Sequence, residues 1–341
     1  MAGPVAAHAA PSRFGFLVHP LTPLHRRVTG VRRGHWAMLR DGPAGIEAVG
    51  LLARLVIPTL MGPAEGFIVG VPDLGAQLAE GQERARVHRE RAARIAEAHG
   101  AQVIGLGNAL AVVAGRGQRL VEDTGLPITT GHAATAWSAV EITQLAAARH
   151  GAGPVGVLGF KGAVGDAVAE GLARRGRQVL VEDSGPRVRR RARELGLQAV
   201  GQEELLATSR YLVGASTTGP SLAPEALRSG TVLIDLSLPP TLSPGRLPRG
   251  VRLYAGETLS YPETIDTTDL WGAAWLAFAG YGKGVIYACL AEPAVLALAG
   301  LHEPRVGRRV STAVVEQTGA LLTQAGLRPA LRPGRPARQT R

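Results

Sequence analysis

Cysteine, lysine and aromatic side chains are scarce in this chain of 341 residues, and each scarcity removes a class of reading. With Cys289 as the single cysteine, no intramolecular disulfide can form, and neither a cysteine-rich zinc site nor an extracellular disulfide framework is available. A cytoplasmic location is therefore expected. Only Lys161 and Lys283 stand against 36 arginines, a bias expected of GC-rich coding, so the net charge of +11 is not by itself a nucleic-acid signature. Aromatic residues make up 4% of the chain, and no stacking-aromatic pattern or helix-turn-helix accompanies the charge. Nucleic acid is not an expected partner; an acidic protein is. Five of the arginines, Arg328, Arg332, Arg335, Arg338 and Arg341, sit in a proline-rich stretch without acids, which reads as a disordered basic tail over 328–341. Long apolar runs are missing too. The most apolar region, Leu270 to Leu301, is cut by Lys283, Glu292 and Pro293, short of the roughly 18 residues that span a bilayer. Residues 1–12 lack the charged start and apolar core of a signal peptide. No transmembrane segment is expected, while peripheral membrane contact and homo-oligomerisation stay open.

What is plentiful is glycine, 45 residues, in a chain that is 45% apolar and 19% charged. That balance, with apolar strands and amphipathic helices alternating after residue 150, predicts an α/β protein. An N-terminal α/β domain on the substrate side is expected over 1–150, ending at the small-residue stretch Gly151 to Pro154. A Rossmann-like doubly wound parallel sheet follows over 151–255, and a C-terminal helical region carrying Cys289 over 256–327.

The central feature is residues 154–183. Val155 to Leu158 reads as a strand; Gly159, Gly162 and Gly165 form a turn; Val164, Val168 and Leu172 keep helical spacing; and Gln178 to Val181 returns to strand character. A glycine turn between strand and helix lets the backbone approach a pyrophosphate at the helix N-terminus, which makes Gly159, Lys161, Gly162, Ala163, Val164 and Gly165 candidate dinucleotide contacts. The spacing is Gly-x-x-Gly-x-x-Gly rather than Gly-x-Gly-x-x-Gly, so the strand and helix around it carry much of the assignment. Glu182 and Asp183 fall where a ribose lies. Asp183 suits a free 2′-hydroxyl and NADH, whereas Lys161 could hold an additional phosphate.

Elsewhere, Phe14 to Val18 and Phe67 to Val71 read as strands, 44–61 as a helix, Leu78 to His99 as a charged amphipathic helix, and Gln102 to Leu106 as a strand entering a tight turn at Gly107. His19 and His25 follow the first strand. Thr129 or Thr130 can cap an apolar helix running to about Ala148; alternatively Thr130, His132 and Thr135 form a polar cluster facing the cofactor cleft. Tyr211 to Val213 and Val232 to Ile234 read as strands of the doubly wound sheet, with Ser216, Thr217 and Asp235 at their carboxyl ends as candidate cleft residues, although Asp235 equally suits a turn. Beyond about residue 256 helices are expected near 269–280, 284–300 and 310–325.

Several of these segments together resemble the long-chain acyl-[acyl-carrier-protein] reductases known from cyanobacteria, which form fatty aldehydes. The similar stretches are Phe14 to His19 with Leu21 and Thr22, Thr129 to Gly131 with Thr135 and Ala136, Gly159 to Gly165, Val232 to Asp235, and Tyr287 to Glu292. The resemblance implies reduction of an acyl-carrier protein or acyl-CoA thioester by NAD(P)H, with the balance slightly toward NADPH, through an acyl-enzyme on Cys289. It departs from the family at His132, where an asparagine is common, and at Glu182 and Asp183, where an arginine is common. On the residues alone Cys289 reads as a buried, inert thiol. A thiolate needs stabilisation, and an early helical turn would help it while Glu292 would oppose it. His132 and His19 are guesses for the activating base, and Trp271, Trp275 and Phe278 for an acyl tunnel. The alternatives are a shikimate-type dehydrogenase with direct hydride transfer and a non-catalytic dinucleotide-binding protein.

Overall fold

The computed structural model describes residues 11–20, 49–81, 83–113, 115–217, 219–237, 239–261, 263, 265–267 and 284–334. Two six-stranded sheets carry the molecule. The first is built from β1 (Ser12–Val18), β2 (Gly50–Ile57), β3 (Ala64–Gly70), β4 (Val103–Leu106), β5 (Ile128–Thr129) and β13 (Asp266–Thr267), in the order β13-β2-β3-β1-β4-β5. β1 runs parallel to β3 and β4, whereas β2 is antiparallel to β3. The helix expected over 44–61 is replaced, from Gly50 onward, by β2. Leucines and branched residues fit either period, and pairing along all of β3 outweighs the local spacing.

The second sheet comprises β6 (Val155–Leu158), β7 (Val179–Glu182), β8 (Gln198–Val200), β9 (Tyr211–Gly214), β10 (Val232–Asp235) and β11 (Arg252–Ala255). Its order is β11-β10-β9-β6-β7-β8 with every pair parallel. That is the doubly wound dinucleotide-fold order, with its switch point between β6 and β9. The crossovers on the β6 side are three helices, Ala163–Arg174, Pro186–Glu194 and Gln202–Thr208.

The charged helix expected over 78–99 is divided into α1 (Gly75–Ala79) and α2 (Glu83–Ala98), with Gly81 at φ +68° between them. After α3 (Gln118–Thr124) comes α4 (His132–His150); the three crossovers are then α5, α6 and α7, and α8 (Ala288–Leu298) and α9 (Thr312–Gln324) complete the described helices. α4 packs against α5, α8 and α9, and α8 lies on β1, β3 and β4. One apolar cluster therefore runs from Phe14 and Leu55 in the first sheet through Ile142 and Leu290 to Val157 and Val213 in the second. Pro293, inside α8, stands where a Cβ on Gly105 of β4 would come within 2.7 Å, so a bare strand backbone admits the helix at close range.

Beyond 256 the described residues hold α8 and α9, within the spans expected near 284–300 and 310–325, and short strands besides. β12 (Thr258–Ser260), β14 (Val285–Tyr287) and β15 (Arg328–Pro329) form a third sheet, β14-β12-β15. The beginning of the expected disordered tail is thereby ordered, because β15 supplies hydrogen bonds to the edge of β12 and Arg332 donates to Ser260 Oγ and the Gly284 carbonyl. The helix expected near 269–280, the Trp271, Trp275 and Phe278 stripe, Leu21, Thr22, His25, Lys283, and the tail arginines beyond Arg332 lie outside the described residues. Among the described residues no helix is long and apolar enough to cross a membrane.

Candidate functional site

At the switch point the turn after β6 is held by backbone contacts that only glycine allows. Gly159 has φ +77°, and a Cβ there would stand 2.6 Å from the Ala215 carbonyl oxygen; one on Gly165 would stand 2.5 Å from that of Gly159. Gly162, the N-cap of α5, is looser. A Cβ would lie 3.3 Å from the Gly159 oxygen, and no side chain caps the helix. The turn therefore leaves the start of α5, Ala163, Val164 and Gly165, bare for an anion, with Lys161 exposed beside it. This cradle fits the pyrophosphate of a dinucleotide. Asp166, buried in the first turn, would oppose a phosphate, but Arg191 of α6 donates to it at 2.7 Å and offsets its charge.

Just past β7, Asp183 accepts from the Gly185 N–H at 2.8 Å and from Arg189 at 2.6 Å, and these bonds hold its carboxyl below the usual range. Glu182 accepts from Gln202 instead. Asp183 and Arg189 thus bring both signs to the ribose end. On the other half of the sheet, Ser216 donates its N–H to Ser237 Oγ, and Thr217 is exposed. Of the two roles open to Asp235, lining the cleft or closing a turn, the structure shows the second: it accepts from the Ser237 N–H, the Thr241 N–H and Thr241 Oγ1 at 3.0, 2.9 and 2.7 Å.

Cys289 is the second residue of α8 and is half-buried. Gly131, the N-cap of α4 at φ +70°, rests on it so closely that a Cβ would come within 2.6 Å of the Cys289 Cβ and 2.7 Å of its Cα. The two helix starts meet at this contact. Glu292, one turn further along α8 and buried, fastens them: its carboxylate accepts from Thr129 Oγ1 and, at 2.7 Å, from the Ala134 N–H. Contrary to expectation, neither Thr129 nor Thr130 caps α4; a carboxylate from a distant helix meets the amide of its third residue.

Thr130, His132 and Thr135, expected as a polar cluster, lie on either side of Gly131 in sequence, and both of their hydroxyls serve the backbone. Thr130 Oγ1 donates to the Arg305 carbonyl and Thr135 Oγ1 to that of Gly131. His132 has its Nδ1 buried without a partner among the described residues, and burial together with Arg116 pushes its pKa down to about 4. His19 is unsuited to act as base. Its Nε2 accepts from the Ala109 N–H and its Nδ1 donates to the Pro20 carbonyl, a network that fixes one tautomer.

Sequence reasoning missed Glu257. This residue follows Gly256 at the end of β11, where the Gly256 N–H bonds the Asp235 carbonyl, and its own carbonyl accepts from the Ala288 N–H at 2.8 Å. Its Oε2 is buried with no partner among the described residues, and burial with Asp235 nearby pushes its pKa up to about 7. An acid just past a strand's carboxyl end was the available signal. Burial pushes the Cys289 thiol up to about 12, with Glu257 and Glu292 adding to the rise and the N–H groups of Cys289 and Leu290 opposing it.

No family model and no curated protein matches the chain. Among solved structures it is similar to a dipicolinate synthase subunit from Bacillus halodurans, at 19% identity over 40% of this chain and 50% of that one, with a TM-score of 0.29. It is also similar to the nucleotide-binding domain of glutamyl-tRNA reductase from Thermoplasma volcanium, at 20% identity over 34% of this chain and 84% of that one, TM-score 0.29. Transhydrogenase from Sinorhizobium meliloti matches at 14% identity over 50% and 74%, TM-score 0.31. The chain spans half the length of the dipicolinate synthase polypeptide that it matches.

Proposed function

We propose that this protein reduces a long-chain acyl thioester, carried on acyl carrier protein or coenzyme A, to a fatty aldehyde through an acyl-enzyme on Cys289. The observation that supports this reading most directly is the placement of the lone thiol. Cys289 is tied through Ala288, Glu257 and Gly256 to the carboxyl end of β10 and β11, the edge of the sheet on which the glycine turn also opens. β11 is three strand spacings, about 14 Å, from β6. Asp183, just past β7, and Arg189 of α6 suit the adenosine half of a dinucleotide, which leaves the half across the switch point for the nicotinamide. A reduced nicotinamide dinucleotide supplies the hydride for the second half of the reaction.

The protein's own residues divide the remaining work. The start of α5 holds the pyrophosphate, with Lys161 beside it, and the Asp183–Arg189 pair meets the ribose. Cys289 attacks the thioester carbonyl, and the amide groups opening α8 favour negative charge on sulfur. Glu292 positions the thiol by joining α8 to the start of α4. The basic surplus of the chain suits an acidic carrier.

Intact-mass measurement after incubation with an acyl thioester, without nicotinamide, tests the reading. One acyl adduct, released by hydroxylamine, is expected on the wild type and none on Cys289→Ala, which should also lose all aldehyde formation while binding dinucleotide normally. Aldehyde formation by Cys289→Ala at the wild-type rate would overturn it in favour of direct hydride transfer.

A further inference from the structure

The amino edge of the second sheet, opposite the end on which the glycine turn opens, is lined with arginine. Five of the six strands are entered through turns that contain arginine and neither aspartate nor glutamate: 148–154 before β6, 175–178 before β7, 208–210 before β9, 228–231 before β10 and 246–252 before β11. Strand register brings these turns to one height. Val155 stands level with Val179 and Tyr211, and Val232 with Tyr211 and Arg252, so Arg177, Arg210 and Arg252 lie within two residues of a single line across the sheet. From β7 to β11 that line crosses four strand spacings, about 19 Å.

This charge stays uncompensated. Arg177 donates to the Gly153 carbonyl at 3.0 Å, Arg210 to that of His150 and Arg252 to that of Gly250 at 3.4 Å, bonds to the main chain that place a guanidinium without neutralising it. Arg149, Arg228 and Arg249 are exposed, and among the described residues none of these six arginines forms an ion pair. The acids that come near are taken or turned elsewhere: Glu170 pairs with Arg174 and Glu141 with Arg175, while Glu225, three residues before Arg228, forms no ion pair with it. His150 registers the crowding, since burial and then the charges of Arg252, Arg149 and Arg210 hold its ring below the usual histidine range. More charge is led to the same edge. The Ala255 N–H bonds the Arg332 carbonyl and the Gly334 N–H that of Leu253, so from 332 to 334 the chain runs down β11 toward Arg252, and the sequence 335–341 that follows holds three further arginines and no acid.

We propose that this edge docks on an anionic lipid surface, with Arg149, Arg210, Arg228, Arg249 and Arg252 against the headgroups. Each cation near such a bilayer raises binding by about fivefold, so several held at one height suffice without an inserted anchor. Other polyanions fit the edge less well. A protein partner needs a desolvated apolar centre, and the large apolar side chains exposed among the described residues, Leu60, Val87 and Leu145, all lie outside these turns. Nucleic acid is met by stacking aromatics or by a helix in a groove, whereas this edge is made of turns, with Tyr211 buried and Tyr254 bonded to His150. An acyl carrier docked here would hold its thioester on the far side of the sheet, because four residues of strand, about 13 Å, separate this edge from the one to which Cys289 is tied. Docked on lipid, the sheet keeps its opposite edge free for cofactor and carrier. The proposal does not depend on the acyl-thioester reading.

Co-sedimentation of the full-length protein with vesicles tests it. The protein should bind vesicles of about 30% phosphatidylglycerol in phosphatidylcholine, ignore phosphatidylcholine alone, and be released by about 0.5 M salt. Arg149→Ser, Arg228→Ser and Arg249→Ser combined break no hydrogen bond or ion pair of the described residues and should lower the partition coefficient at least about tenfold. Arg119→Ser, Arg308→Ser and Arg309→Ser combined remove the same charge from exposed positions on and beside α3, and this variant should bind as the unmodified protein does. An equal loss in both variants would reduce the effect to net charge and overturn the proposal. Equal binding to the two kinds of vesicle, or none to the anionic kind, would overturn it as well; in the second case, binding of an acyl carrier protein or of duplex DNA that only the edge variant loses would assign the arginines to that polyanion instead. The lipid and salt dependence of the unmodified protein is read whether or not a variant folds.

Discussion

The glycine turn and the cysteine site are organised on opposite plans. What shapes the turn lies between Val155 and Arg174, apart from the backbone of Ala215 and Ser216 beneath it, and its positions follow from backbone approach within one strand-turn-helix unit. The cysteine site has no such unit. It is assembled from Thr129 to Ala134, Glu257 and Cys289 to Glu292, and the bonds that join it cross 158 and 163 positions of sequence. The contrast teaches that the two regions should fail separately: a local cradle loses a ligand when altered, whereas an assembled site loses its own geometry.

Gly131→Ala attacks the assembled region and carries the largest expected effect. The left-handed conformation costs an ordinary residue about 2 kcal/mol, and pressing a methyl group into the Cys289 backbone adds a similar overpacking penalty. Urea unfolding should show a loss of about 4 kcal/mol, with acyl adduct formation suppressed even where the variant is folded. Unchanged stability would mean that the two helix starts do not meet as described.

Gly162→Val attacks the local region. Its Cβ would stand 3.3 Å from the Gly159 carbonyl oxygen, a milder contact than at Gly159 or Gly165, so stability should fall less than in Gly131→Ala, but the branched side chain stands where a pyrophosphate would approach. Titration should show NADH and NADPH binding weakened by about tenfold or more, with Cys289 alkylation unaltered. Equal affinity would place the dinucleotide elsewhere. Asp183→Ala sharpens the comparison within the turn's own half and is the smallest of the three. It releases Arg189 and removes a negative charge from the ribose end, so the ratio of NADPH to NADH affinity should rise by about fivefold, the scale of an exposed ion pair. A fixed ratio would show that neither residue meets the ribose.

The same contrast accounts for what could be read beforehand. The β6 turn, α5 and β7 were legible because strand, glycine and helix signals are contiguous there, and the strands at Tyr211 and Val232 followed from short apolar runs ending in small or acidic residues. β2 was not legible, since its leucines carry no period of their own and only β3 decides between helix and strand. At the cysteine site, resemblance to a family singled out Cys289, and local reasoning correctly held Glu292 to be unfavourable to a thiolate. Gly131, Glu257 and the clasp made by Glu292 were invisible, because each acquires its role from a partner that folding alone brings near. The ordering of Arg328 and Arg332 was hidden for the same reason: composition describes a solvated tail, and the edge of β12 converts part of it into a strand.

The contact between Gly131 and Cys289 has a consequence for descent. Gly131 answers to the backbone of α8 and would be required whatever side chain stood at 289, since a Cβ there meets the Cα as well as the Cβ of its neighbour. Glu292 answers to the amide and hydroxyl that it holds. If Cys289 carries the chemistry proposed for it, a lineage that abandoned turnover would leave the thiol free to drift while Gly131 and Glu292 stayed under selection for assembly. A retained glycine–glutamate pair around a lost cysteine would therefore mark an inherited scaffold that had outlived its chemistry.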